Sequence, residues 1–199
     1  MLGRAFRVLP SLAAALAAGL VATGSLAVAD DQSHQQGRHH HQAQCDQGRY
    51  SAWDEQWLTM SIEGDLFEIQ GGKIAQQKGT SQKVRDLGAT LVADHSKSLR
   101  DATDLAKQLG IAVPSEPSPT QQWELQAVQQ FAGTAFDRWY AYLEVQDHKQ
   151  DIKEAQDEVD KGCNRDVRKD AKTEIPTLQK HLGLAQAALD AAGGSPVKR

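Results

Sequence analysis

Residues 81–109 read SQKVRDLGATLVADHSKSLRDATDLAKQL, and this stretch decides the fold. Val84, Leu87, Leu91, Ala102, Leu105 and Leu109 recur at alternating three- and four-residue steps, the spacing of one face of an α-helix. Gly110 and Pro114 stop the pattern, and GIAVPSEPSP (110–119) reads as a loop. Between Leu91 and Ala102 one position of the apolar stripe is taken by His95. That histidine is the first sign of chemistry in the chain.

The same period runs through the neighbouring segments. Residues 52–78 carry Trp57, Leu58, Ile62, Leu66, Phe67, Ile69, Ile74 and Ala75, with apolar residues on more than one face, and stop at Gly79. The pattern from Pro119 to Lys161 is too long for one globular helix, and Gly133 divides it into a short helix near 120–131 and a long one near 133–161. A turn at Gly162-Cys163-Asn164 leads into 165–192, where Val167, Ala171, Leu178, Ala185 and Ala188 form the seam and Pro176 is expected to kink the helix. Four helices of about 28 residues run roughly 42 Å each. The matched lengths predict an all-α four-helix bundle over 51–193, with a short extra helix in the connection between helices two and three. Residues 194–199 are expected to be disordered. The chain has no glycine-rich phosphate loop, nucleophile elbow or strand–helix alternation, which excludes Rossmann, P-loop and hydrolase folds and leaves no catalytic motif.

Ahead of the bundle, Arg4 and Arg7 precede an uncharged stretch from Val8 to Val28 that ends in Ala27-Val28-Ala29 and then Asp30-Asp31. This is the pattern of a signal peptide, residues 1–29. An uncleaved anchor is the alternative reading, weakened by Pro10, Ser11, Gly19, Thr23 and Gly24. No second apolar span follows, so the expectation is an exported protein, periplasmic or secreted. Of 199 residues 40% are hydrophobic, 24% charged and 6% aromatic, and the formal charge is −4. Removing Arg4 and Arg7 leaves 20 basic against 26 acidic residues, hence −6. With no basic excess to neutralise phosphates, nucleic acid is not an expected partner. Residues 30–50 (DDQSHQQGRHHHQAQCDQGRY) bury too little to offset ordering entropy and read as a flexible tail. His39, His40, His41 and Cys45 could catch a soft or borderline metal, but a solvated tail is the favoured reading.

The seams of the bundle carry five misplaced polar residues. His95 interrupts the second helix, Glu174 and His181 the fourth, and His148 lies in line with Ala141, Ile152, Ala155 and Val159 on the third. On the first helix, Glu68 shares a face with Gly64, Gly71 and Ala75, whose small side chains leave room around a carboxylate. Glu68, His95, His148 and His181 each fall roughly 21–24 Å from a helix end, at one mid-bundle level. One carboxylate and three imidazoles at one height suit a single transition-metal ion, Fe, Mn, Zn or Cu, as cofactor. Glu174 falls about two turns lower, roughly 10 Å away, where it would act only behind the ligands. The alternative is a set of core histidines satisfied by carboxylates such as Asp94, Glu144 or Asp147.

Three strings also carry a resemblance. FEIQGGKIAQQKGTSQKVRDLGATLVADHSKSLRDATDLAKQLGI (67–111), FDRWYAYLEVQDHKQDI (136–152) and EIPTLQKHLGLAQ (174–186) resemble the exported domain-of-unknown-function 4142 family, often labelled "predicted outer membrane protein". The resemblance covers about residues 51–190. Its motif positions here are Glu68, Asp94, His95, Phe136, Asp137, Tyr140, His148, Pro176 and His181. It implies a ferritin-like fold and an envelope location, with possible peripheral association with the outer membrane, but no activity. Unlike ferritins, this chain has no Glu-x-x-His, so a carboxylate-rich di-iron site is not expected.

The ferritin-like connectivity has a consequence for the two cysteines. In an up-down-up-down bundle the start of helix one and the turn holding Cys163 lie at opposite ends. Cys45 reaches at most about 23 Å from Ser51 and could not cross the bundle. If instead the link between helices two and three crosses the whole bundle, both cysteines fall at one end, and a Cys45–Cys163 disulfide is expected in an oxidising compartment. Two functions remain open: the metal-binding bundle, serving storage, sensing or redox protection, and a non-catalytic envelope stress or scaffold module. The second would bind a protein partner through surface aromatics such as Trp53, Trp123 and Trp139.

Overall fold

A computed structural model describes Cys45 and residues 49–197. The expected signal peptide, His39–His41 and most of the 30–50 segment lie outside the described residues. The helices are α1 (Ala52–Lys78), α2 (Gln82–Leu109), α3 (Pro119–Gln129), α4 (Gly133–Lys161) and α5 (Arg165–Ala191), with no strand among the described residues. Their ends are set by side chains that satisfy the orphan backbone groups of a helix terminus. Ser51 and Asp54 form a capping box on α1, and Ser118 and Gln121 form another on α3, where Pro119 supplies the first residue. Ser81 accepts from Val84 N, and Asn164 from the amides of Asp166 and Val167. Gly110 closes α2 at φ 80°, a left-handed turn that suits glycine. Pro176 lies inside α5 on its exposed side, and the helix continues through it.

The bundle is two antiparallel hairpins, α1–α2 and α4–α5, that close one another. Asp54, at the start of α1, accepts hydrogen bonds from Cys163 N (2.9 Å) and Asn164 N (2.8 Å) in the α4–α5 turn. Asp137, at the start of α4, does the same for the α1–α2 turn, taking Thr80 N and Ser81 N at 2.8 Å each together with the Thr80 hydroxyl. These contacts set α1 and α4 antiparallel, so α2 and α4 run parallel, and the 110–132 link must travel the length of the bundle. It does so with Ile111 in the apolar cluster of Trp57 and Leu58 and Phe136, just beyond its far end, in that of Ala75 and Val84. The segment α3 lies along α1 on the way, with the Leu125 side chain over Gly71. That cover is why α1 is apolar on several faces.

At the end where α1 begins, Cys45 and Cys163 are joined in a disulfide with a Cα separation of 5.0 Å. The end of the segment read as a tail is tied down there as well. Arg49 donates to Gln108 O (2.7 Å), its carbonyl accepts from Asn164 Nδ2 (2.6 Å), and Tyr50 packs on the lower core. At the other end Arg138 holds the carbonyls of Gly194 and Ser195. Trp53 and Trp123 are exposed, whereas Trp139, expected at the surface, is half-buried with its ring stacked on Phe131. No helix among the described residues is long and apolar enough to cross a membrane.

The apolar interior is not continuous. An upper cluster contains Leu87, Leu91, Phe136, Tyr140, Val145 and Ala185, and a lower one Trp57, Leu58, Ile62, Ala102, Ala155 and Leu178. Between them every long helix contributes buried polar side chains: Asp65 and Glu68, His95, Glu144 and His148, and His181.

Two outcomes follow from this packing. Within the first hairpin a Cβ on Gly88 would stand 2.6 Å from Gly72 O and 2.8 Å from Ala75 Cβ, too close for either to yield. Gly88→Ala is expected to destabilise by about 1–3 kcal/mol. Gly183→Ala, where nothing lies within 4 Å, should be neutral or stabilise by up to ~1 kcal/mol. Denaturant melts of both variants check the pair. Thiol titration of denatured, unreduced protein should find no free thiol, and reduction should cost about 2–5 kcal/mol of stability. Two titratable thiols would remove the bridge.

Candidate metal centre

Each long helix sends its polar residues to mid-height because they occupy seam positions, spaced three or four apart from apolar neighbours that are themselves buried. The three expected histidines meet there. Ring centroids lie 5.1 Å apart for His95–His181, 5.3 Å for His148–His181 and 5.9 Å for His95–His148, and one nitrogen from each ring lies within 4.8 Å of the others.

Each ring is anchored through its second nitrogen. His148 Nδ1 donates to the Glu144 carbonyl (2.9 Å), which can only accept. His181 Nε2 donates to Asp94 Oδ2 (2.9 Å), a carboxylate held below its usual range chiefly by that hydrogen bond. His95 Nδ1 pairs with Asp65 Oδ1 at 2.8 Å. Burial pushes the Asp65 carboxyl well up, so in the metal-free protein each partner of this pair keeps one proton; loss of the Asp65 proton makes Nδ1 the donor and frees the Nε2 lone pair for a metal. The remaining atoms, His95 Nε2, His148 Nε2 and His181 Nδ1, are all buried and without a hydrogen-bond partner. Burial lowers His95 to about 4 and His148 to about 3, and lowers His181 too. At neutral pH all three are therefore uncharged imidazoles, the form that ligates metals.

Glu68, expected as the fourth ligand, is placed differently. It is fully buried against the anchored edge of His148, with Oε1 3.7 Å from Nδ1, and Glu144 Oε2 lies 3.8 Å from the same atom. Asp65, one turn earlier on α1, faces α2 and takes His95, which leaves Glu68 facing α4. Glu68, Glu144 and His148 form one close group, and Glu68, Asp147 and Asp151 another. Glu174 bonds the Ser98 hydroxyl (2.7 Å) and, with Asp65, His95 and Asp151, lines a small cavity of about 30 Å³, enough for water. Burial raises Glu174 to about 8. A surface groove of about 280 Å³ between α2 and α5 reaches His95 and His181 past Asp94, Asp101 and Asp170.

Asp65 and Asp151 were not singled out by sequence. Asp65 stands three residues before Glu68 and Asp151 three after His148, so the i±3 neighbours of the expected ligands carried the missing signal.

Helical bundles with inward-facing histidines and carboxylates on all four long helices form the class to which this molecule belongs. Residues 39–188 match the family described as "Domain of unknown function (DUF4142)", and the chain belongs to that family. The chain is also similar to a solved structure, the crystal structure of a DUF305 fragment from Deinococcus radiodurans. The two share 11% identity at a TM-score of 0.63, covering 71% of this chain and 98% of that one. At that identity the likeness is one of fold. No match is found among curated proteins.

The titrating groups give the metal-free protein an unusual pH dependence. The three histidines have folded pKa values below the unfolded ~6.5, so their contribution is complete above that pH and is lost as pH falls toward 4. Glu144, Glu158 and Glu174, raised mainly by burial to about 8, act in the opposite sense: the folded state keeps protons that the unfolded chain has released, and stability is lost as pH rises toward 8. Above ~6.5 only the second effect operates. Chelator-treated protein should therefore melt at a lower temperature at pH 8 than near pH 6, as scanning calorimetry across that range would show. A melting temperature that climbs steadily to pH 8 would contradict this assignment.

Proposed function

We propose that this protein is an exported helical bundle that binds one transition-metal ion through His95, His148 and His181, for storage, sensing or redox protection. The observation that carries the reading is the convergence of three buried, unpartnered ring nitrogens whose opposite nitrogens are fixed by hydrogen bonds. That is how proteins orient histidine ligands, and three buried ring nitrogens without any hydrogen-bond partner are costly until a ligand takes them. A tetrahedral ion at about 2.0–2.1 Å from each nitrogen would leave a fourth position for water or an exogenous ligand. Zn, Cu, Fe and Mn all accept imidazole, and the donor set alone does not choose among them. Asp94 and Asp65 would hold the outer nitrogens, and the acidic groove between α2 and α5 would draw a cation inward. Export rests on the signal-peptide pattern of residues 1–29, and the Cys45–Cys163 bridge is compatible with a periplasmic or secreted location.

The second reading, a scaffold module that binds a protein partner, draws on the exposed ring of Trp123 on the crossover helix, 68% accessible. One set of measurements separates the two. With His39, His40 and His41 replaced by alanine, elemental analysis should find about one equivalent of metal, either as purified or after reconstitution. One Zn²⁺ equivalent should raise the melting temperature of this protein, and His181→Ala should abolish the rise. Free metal at 1,000 times Kd corresponds to about 4 kcal/mol of stabilisation. No metal as purified and none taken up on reconstitution would overturn the metal reading and leave the scaffold reading standing.

A further inference from the structure

The carboxyl groups beside His148 are not used by the trihistidine centre. Glu68 comes from α1, and Glu144, Asp147 and Asp151 from one face of α4. Glu68, Asp147 and Asp151 each place a carboxyl oxygen within 4.8 Å of the others, and Glu68 and Glu144 are equally close to His148. No lysine or arginine pairs with any of the four among the described residues. Both oxygens of Glu68, both of Glu144 and Asp147 Oδ2 are buried without a hydrogen-bond partner.

A second observation points to a ligand. The Tyr140 hydroxyl, fully buried and also unpartnered, faces the Glu144 carboxyl from one turn away on α4. Opposite it on α1, Gly71 lets the Tyr140 ring and Glu144 Oε1 pack close to the helix backbone, 3.5 and 3.7 Å from where a Cβ would stand. A buried carboxyl cluster with this many unsatisfied oxygens is stable only with shared protons or a bound cation.

We infer that Glu68, Asp147 and Asp151, backed by Glu144, form a second cation site beside the trihistidine centre, selective for a hard divalent ion such as Mn²⁺, Mg²⁺ or Ca²⁺. An all-oxygen donor set prefers such ions over the softer ions that imidazole favours. Oxygens facing each other across a calcium-sized ion, at 2.3–2.6 Å each, stand up to about 5 Å apart, so three oxygens within 4.8 Å of one another can share one such ion. Asp147 and Asp151 are only half-buried, so the cluster reaches the edge of the bundle. The two sites adjoin at His148, whose Nε2 faces the imidazoles and whose Nδ1 edge faces the carboxyls.

The test titrates Mn²⁺ into the full chain carrying alanine at His39, His40 and His41, following the free aquo ion by electron paramagnetic resonance at pH 7.5. His95→Ala/His181→Ala in that background should still bind one equivalent. Asp147→Asn/Asp151→Asn should bind at least tenfold more weakly. The parent protein given one Zn²⁺ equivalent beforehand provides a reading that needs no cavity-forming substitution, and it too should take up one Mn²⁺. Equal Mn²⁺ binding with and without Asp147→Asn/Asp151→Asn would overturn the site, as would absence of Mn²⁺ binding to the Zn²⁺-treated parent. Failure to take up Zn²⁺ strikes only the trihistidine reading, since the carboxylate site does not rest on it.

Discussion

Three imidazole rings that turn unpartnered nitrogens toward one another inside a protein must be held there, and the register of the bundle supplies the holding. A one-turn slip of any long helix, about 5.4 Å, would carry its histidine out of the layer and drive apolar side chains of the neighbouring core against carboxyls. The reciprocal contacts of Asp54 and Asp137 prevent that slip. Each is buried, each lies near the N-terminus of its helix, and each grips the backbone of the turn that closes the opposite hairpin. The conspicuous FDxxY motif therefore serves architecture through Asp137, while Tyr140 of the same motif faces the carboxyl cluster.

The polar layer divides an otherwise ordinary interior. Buried groups that lack partners cost about 1–3 kcal/mol each, and several of them sit at one height here. The apolar clusters above and below offset that cost, and the bridge between Cys45 and Cys163 adds to the folded state's advantage by constraining the unfolded chain. Such concentration of unfavourable groups is the pattern expected where stability has been exchanged for chemistry.

Much of this was legible in the sequence. Helix limits at Lys78, Leu109 and Lys161 agree with the punctuation by glycine, because a helix end is a local event that a cap or a left-handed residue decides. The meeting of His95, His148 and His181 followed from counting residues along matched helices, since rise per residue is fixed. Rotation about a helix axis is less constrained. Glu68 and Asp65 differ by three residues, or about 60° of rotation, and which one faces His95 depends on packing against α2, α3 and α4 together. The apolar residues on several faces of α1 hid that choice, and the crossover segment that covers the extra face became visible only in three dimensions. Trp139 was misjudged for a related reason: its cover, Phe131, belongs to the link and not to any seam.

The position of the disulfide gives the chain an asymmetry under mechanical load. Residues 45–163 form a covalent ring that encloses α1 to α4, and among the described helices only α5 lies outside it. Tension applied between the two chain termini passes through the sulfur bridge and bypasses the ring, so the force falls on the contacts of α5. Peeling that one helix away removes His181 from the layer and frees Asp94, while the other two imidazoles stay tethered to one another within the ring. Pulling on the ends is thus resisted by the packing of α5 on α4 and α2, and the centre opens from the α5 side before the remainder of the fold is strained.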